Sequence, residues 1–101
     1  MAAQTPFAPA YGQGKLITTT GVSQSVAVSK TAKTIHLNNY GATNACYVRI
    51  GRGTVTAVTT DLVVAPGERI NVYKGEGDDT VAALQITGAT TLSIIEGEGG
   101  I

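Results

Sequence analysis

The 101 residues hold no tryptophan, one phenylalanine, one histidine, one methionine and one cysteine. One cysteine excludes an internal disulfide framework and a cysteine-rich zinc site. Charge is sparse as well: 14% of residues are charged, and seven Lys+Arg cancel seven Asp+Glu. That excludes a highly charged disordered tail and a protein that holds nucleic acid through net charge. No apolar run approaches the roughly 20 residues that cross a bilayer as a helix. The first ten residues lack a basic segment followed by a continuous apolar stretch, so a secretory leader and a membrane partner are not expected. Leucine, the commonest core residue of helical proteins, occurs only five times.

What replaces these residues is β-branched. Thr, Val and Ile supply 15, 10 and 8 residues, and glycine supplies 13. Side chains branched at Cβ are stiff at χ1 and suit a pleated sheet better than a helix. Short runs of them alternate with turn signals. The runs are 15–20, 23–28, 33–38, 45–50, 53–58, 61–65, 68–73, 80–86 and 90–95. In 33–38, Ile35 and Leu37 share one face, with Thr34 and His36 on the other. In 45–50, Cys46, Val48 and Ile50 alternate with Tyr47 and Arg49. Pro66-Gly67 favours a type II turn. The alanines of 80–86 give that run the best helical case. Its length and its neighbours make it a strand. The pattern predicts an all-β fold: a small β-sandwich or jelly-roll-like barrel of seven to eight short antiparallel strands. Within it, 68–95 reads as a unit of three hairpin-linked strands.

Two features break the uniformity. Residues 1–14 carry no charge and no period, with Pro6, Pro9, Phe7, Tyr11, Gly12 and Gly14 among them. Proline removes backbone donors and favours extended geometry, so this segment reads as an extended N-terminal arm on a domain of residues 15–101. Phe7 and Tyr11 are then either satellites of the domain's own core or anchors for a neighbouring subunit. The second feature is the order of the charges. Lys15, Lys30, Lys33, Arg49 and Arg52 precede every acid, and seven acids from Asp61 onward meet only Arg69 and Lys74. Such a split can mark an interaction surface. It predicts Arg49 and Arg52 of one subunit facing Glu76, Asp78 and Asp79 of another.

No constellation of catalytic groups emerges. His36 lies within a strand pattern, no G-x-S-x-G is present, and Cys46 has the setting of a small buried hydrophobe. The turn Gly75-Glu76-Gly77-Asp78-Asp79 has the carboxylates of a calcium-loop fragment without EF-hand spacing, and reads as a solvated turn. Neither Gly51-Arg52-Gly53 nor Gly12-x-Gly14 has the strand-to-helix context of a phosphate loop. The expectation is a protein with no enzymatic activity, no cofactor and no metal. Two classes remain: a structural subunit of a larger assembly, or a carbohydrate-binding β-sandwich module. The latter is disfavoured because stacking on sugars needs exposed aromatics, and only five are present.

Four segments carry a family resemblance. Thr59–Glu68 (TTDLVVAPGE), Gly75–Ala83 (GEGDDTVAA), Gly88–Gly97 (GATTLSIIEG) and Asn44–Gly51 (NACYVRIG) resemble small virion proteins of tailed bacteriophages. The shared features are a Thr-Asp-apolar step, a Pro-Gly turn, a V-A-A strand, a G-A-T-T-L strand and a late G-E-G. They cover about residues 35–99 and leave the arm outside. The resemblance implies a capsid decoration (cement) protein on the virion surface, made in the host bacterial cytoplasm. Its partners would be the major capsid protein and neighbouring copies of itself, in a homo-oligomer, most simply a trimer. A tail, collar or head-fibre accessory protein is the alternative. An arm can add a strand to a partner's sheet edge, so Pro6, Phe7, Pro9 and Tyr11 are the expected anchors.

Overall fold

The structure is a computed structural model that describes residues 7–12, 14–75 and 77–99. Among these residues there is no helix. Nine antiparallel strands are present: β1 (Ala8–Pro9), β2 (Lys15–Thr18), β3 (Gln24–Ala27), β4 (Thr34–Asn39), β5 (Cys46–Gly51), β6 (Leu62–Val64), β7 (Arg69–Tyr73), β8 (Thr80–Gln85) and β9 (Thr91–Glu98). They form two sheets. The first has the order β1-β9-β4-β7, with β2 also paired to β9; the second has the order β3-β8-β5-β6.

This order follows from one device. The pairs β2–β9, β3–β8, β4–β7 and β5–β6 are those of a single long hairpin whose tip lies between β5 and β6. Strands β2 to β5 are the outgoing limb and β6 to β9 the returning one. Rolling this ribbon sets β4 against β9 and β5 against β8. The result is the two packed sheets of a jelly roll, the second of four strands and the first of five because β1 also pairs with β9. The all-β sandwich legible in the sequence is therefore the fold.

Two local expectations are corrected. The stretch 68–95 is not a three-strand meander: β7 and β9 lie in one sheet, β8 in the other, and none pairs with its neighbour in sequence. The Gly-rich turns cross between sheets instead of closing hairpins. The run 53–58 is a loop. Gly53 sits at φ +72°, in the region that favours glycine. Beyond it the Ala57 amide donates to Ser23 Oγ (2.9 Å), tying the loop to the start of β3.

The core lies between the sheets. Ile17, Ile35, Leu37, Leu92 and Ile94 from the first meet Cys46, Val48, Val64, Val81 and Ala83 from the second, all buried. Two rows run on into polar side chains. Leu92 and Ile94 are followed at the same alternation by buried Glu96, and Ile70 and Val72 by fully buried Lys74. At the opposite end, buried Asn39 uses its whole amide. Nδ2 donates to Asn44 O (3.0 Å) and Val64 O (3.1 Å), and Oδ1 accepts from Gly41 N (2.9 Å) and Thr90 Oγ1 (2.6 Å). A Cβ at Gly41 would overlap Thr90 Oγ1, so only glycine lets the chain turn this closely.

Candidate functional site: the arm seam and the clasped turns

The described part of the arm lies on its own domain. Ala8 and Pro9 pair with Glu98 and Gly97 of β9, and Ala10 N donates to Glu96 O (2.8 Å). Strand β2 takes the next stretch of the same β9 edge, from Ile94 to Thr91. β1 and β2 thus form one edge strand interrupted by the loop around Gly12, which sits at φ +80°. The Phe7 ring lies over Gly97 and against His36, with ring centroids 5.7 Å apart and planes 31° apart. Gly97 makes room for it: a Cβ there would sit 2.8 Å from the ring and would overlap Ala8 O. His36 Nδ1 donates to Asn71 Oδ1 (2.7 Å), which orients the imidazole under Phe7.

Of the four expected arm anchors, Phe7 and Pro9 are therefore half-buried against the chain's own β9. Tyr11, at the loop, is 89% exposed. Pro6 lies outside the described residues. Beside the seam is a cleft of about 380 Å³ between Ala8, Ala10, the 29–32 connection and the end of β9.

The second feature is a clasp of two turns at one end of the sandwich. Asp79 Oδ1 accepts from Gly53 N (3.0 Å) and from Thr80 Oγ1 (3.1 Å). These bonds, the Gly53 amide first, hold the Asp79 carboxyl below its ordinary range, with Lys30 and Arg52 adding to the effect. Arg52 reaches the other way: its Nε donates to Gly77 O (3.2 Å). Beneath the clasp, the Lys74 ammonium donates to the carbonyls of Asp78 (2.6 Å), Lys30 (3.2 Å) and Gly75 (3.5 Å). Glu96 accepts from Ser29 N, so both polar row-ends hold the connection from β3 to β4 in place.

Of the residues expected to pair between subunits, only Arg52, Asp78 and Asp79 are placed together within one chain. Arg49 makes an ion pair with Asp61 across β5 and β6 (2.9 Å). Arg52 meets the turn that contains Asp78 and Asp79; Glu76 lies outside the described residues. Among the described residues no cluster of His, Cys, Asp or Glu has the geometry to hold a metal ion. Burial pushes the Cys46 thiol up to about 11, so it stays protonated and is a poor nucleophile at neutral pH.

Sequence reasoning missed Lys74, Glu96 and Gly97. The signal for the first two was present, since each continues the i, i+2 apolar row of its strand. Gly97 carried no such signal, because its role depends on a partner about ninety positions away.

No protein-family model matches the chain, and no curated protein matches it either.

Proposed function

We propose that this protein is a non-enzymatic structural component of a tailed-bacteriophage particle, decorating the capsid by binding across neighbouring capsid subunits. The reading rests first on the strand-and-turn patterns of residues 35–99. One structural observation carries it further: large apolar side chains stand outside the fold. Tyr11 is 89% exposed, Tyr73 64% and Leu16 62%. Leu16 and Tyr73 point away from the core, opposite Ile17 and Val72, on the outer face of the first sheet. Aromatic side chains that lose their water on docking tend to dominate interface energy. A rigid jelly roll presenting them suits a clamp, which needs shape and anchors more than turnover.

The test is co-sedimentation of the purified protein with capsids that lack it, with purified tails and a glycan array as parallel arms. Saturable binding to capsids, weakened at least tenfold by Tyr11→Ala combined with Leu16→Ser, is the expected result. Binding to tails alone would move the assignment to a tail or collar accessory protein. Binding to glycans without particles would replace it with a carbohydrate-binding module.

A further inference from the structure

The sandwich has four strand edges, and three of them carry the devices that keep edges from pairing with other chains. The β1–β2 edge is broken by the turn at Tyr11 and Gly12 and includes Pro9. Strand β6 has three residues, preceded by Asp61 and followed one residue later by Pro66. Strand β7 begins with Arg69 and runs into the inward-pointing Lys74. Strand β3 has none of these. From Leu16 to Ser29 the chain holds no charge and no proline, and Ser25 and Ala27 are exposed.

The backbone groups of β3 divide in an orderly way. Val28 N donates to Asp79 O (2.8 Å), on the β8 side. By antiparallel alternation, Val26 (opposite Val81) and Gln24 (opposite Ala83) also face β8. The N–H and C=O groups of Ser25 and Ala27 therefore point to the open edge.

We propose that β3 is a self-association edge, pairing antiparallel with β3 of a second copy about a two-fold axis at Val26. In this register Ser25 opposes the partner's Ala27, and the two residues exchange both backbone bonds, giving four bonds over the two symmetric pairs. The two copies of Val26 then form the non-hydrogen-bonded pair at the axis, where side chains approach most closely. Val26 already packs on the edge of the core, so its meeting with its twin joins the two cores. The strand suits a copy of itself because the register is neutral throughout and its outward side chains, Ser25 and Ala27, are too small to clash. The second sheets of the two copies become one eight-stranded sheet. The inference does not depend on the virion reading.

Four bonds and one apolar pair make a small interface, so association in the micromolar range or weaker is expected. Sedimentation of the full-length protein across a concentration series tests it. The expected result is a monomer–dimer equilibrium. Ser25→Pro deletes an edge N–H that β8 does not use, and Ala27→Lys adds an edge charge. Each should weaken dimerisation at least tenfold while leaving the circular dichroism and melting of the monomer unchanged. Val26→Cys should form a disulfide-linked dimer under mild oxidation, because facing Cα atoms in such a pair are about 4.5 Å apart. Buried Cys46 does not compete. A monomer at every concentration, an association indifferent to Ser25→Pro and Ala27→Lys, or a trimer with no dimer would each overturn the proposal.

Discussion

Gly97 offers the sharpest test of how the arm is held. A methyl group at this position would overlap the Ala8 carbonyl oxygen and lie within 2.9 Å of two Phe7 ring atoms. The ring can turn aside, but the carbonyl belongs to the backbone of β1. The alanine variant must therefore release residues 7–10 from β9 or distort the sheet. Release is the easier course. Burying a phenylalanine fully stabilises by about 1.5–3 kcal/mol, so a half-buried ring contributes about 1 kcal/mol. The arm's backbone bonds, about 1 kcal/mol each, are cancelled by the entropy of ordering four residues. The arm is then worth about 1 kcal/mol, that of the ring. For a domain of this size that loss lowers the melting temperature by about 5 °C.

The assay is a double-mutant cycle between Gly97→Ala and removal of residues 1–10, read by urea denaturation. In the full chain Gly97→Ala should cost about as much as the truncation does. In the truncated chain its sign should change. Gly97 is not at positive φ, and glycine inside a strand is destabilising, so alanine there should be neutral or stabilise by about 0.5 kcal/mol. Hydrogen exchange at Ala10 gives a local readout, because its amide is bonded to Glu96 O only while the arm is seated. Equal destabilisation with and without the arm would show that Gly97 serves the sheet itself, and the seam account would be wrong.

Three further outcomes follow from buried groups. The Cys46 thiol is raised to about 11 from an ordinary value of 9.0, so the unfolded chain loses this proton first. Stability from this group is complete below about pH 9 and is lost as pH rises through about 11, by up to about 3 kcal/mol. Denaturation of wild type and Cys46→Ala at about pH 8 and about pH 10.5 should show the extra alkaline loss in wild type only. Lys74→Met should cost about 2–4 kcal/mol in urea, since three carbonyls in a water-poor site lose their donor. Asn39→Ala should cost a similar amount, and Asn39→Asp should not restore it, because a carboxylate cannot donate to Asn44 O and Val64 O and would bury a charge.

The fold class was legible because period-two alternation and β-branching are local. Each strand from β2 to β9 lies on a run that the pattern marks, and Cys46, Val48, Ile35 and Leu37 face inward as the alternation requires. Topology was not legible in the same way. A glycine-rich turn between two β-runs serves a hairpin and a crossover equally well. Nothing local in Gly75–Asp79 says that β7 and β8 part company there. What separates them is the pairing of β7 with β4, more than thirty positions earlier. The site divides along the same line. The arm's extended geometry follows from Pro9 and its missing donor, whereas the place where it docks depends on Gly97. The run 68–73 stops where β7 stops, one residue before Lys74, and the run 90–95 stops three residues short of the end of β9, which hid Glu96.

The rolled ribbon also changes what the charge split means. Cations cluster before residue 60 and acids after it, and in this topology the first limb lies along the second strand by strand. Among the described residues one pair of opposite charges meets this way, Arg49 with Asp61 (2.9 Å). The other charged groups are held by backbone: Arg52 donates to Gly77 O, Asp79 accepts from Gly53 N, and Glu98 accepts from the backbone amide of Lys33 (2.8 Å). Engaging Arg49 or Asp79 with another subunit would first require breaking these bonds, and an exposed pair gains at most about 1 kcal/mol in exchange. The β3 edge is uncharged, and the outer face of the first sheet presents exposed Leu16 and Tyr73 with Arg69 as its charged side chain. Salt screens exposed charges and leaves apolar contacts intact. Raising the ionic strength should therefore leave dimerisation and particle binding within a factor of about two, measured by the same sedimentation assays. A loss of tenfold or more would mean that charged groups such as Arg69 or Lys15 carry the contact.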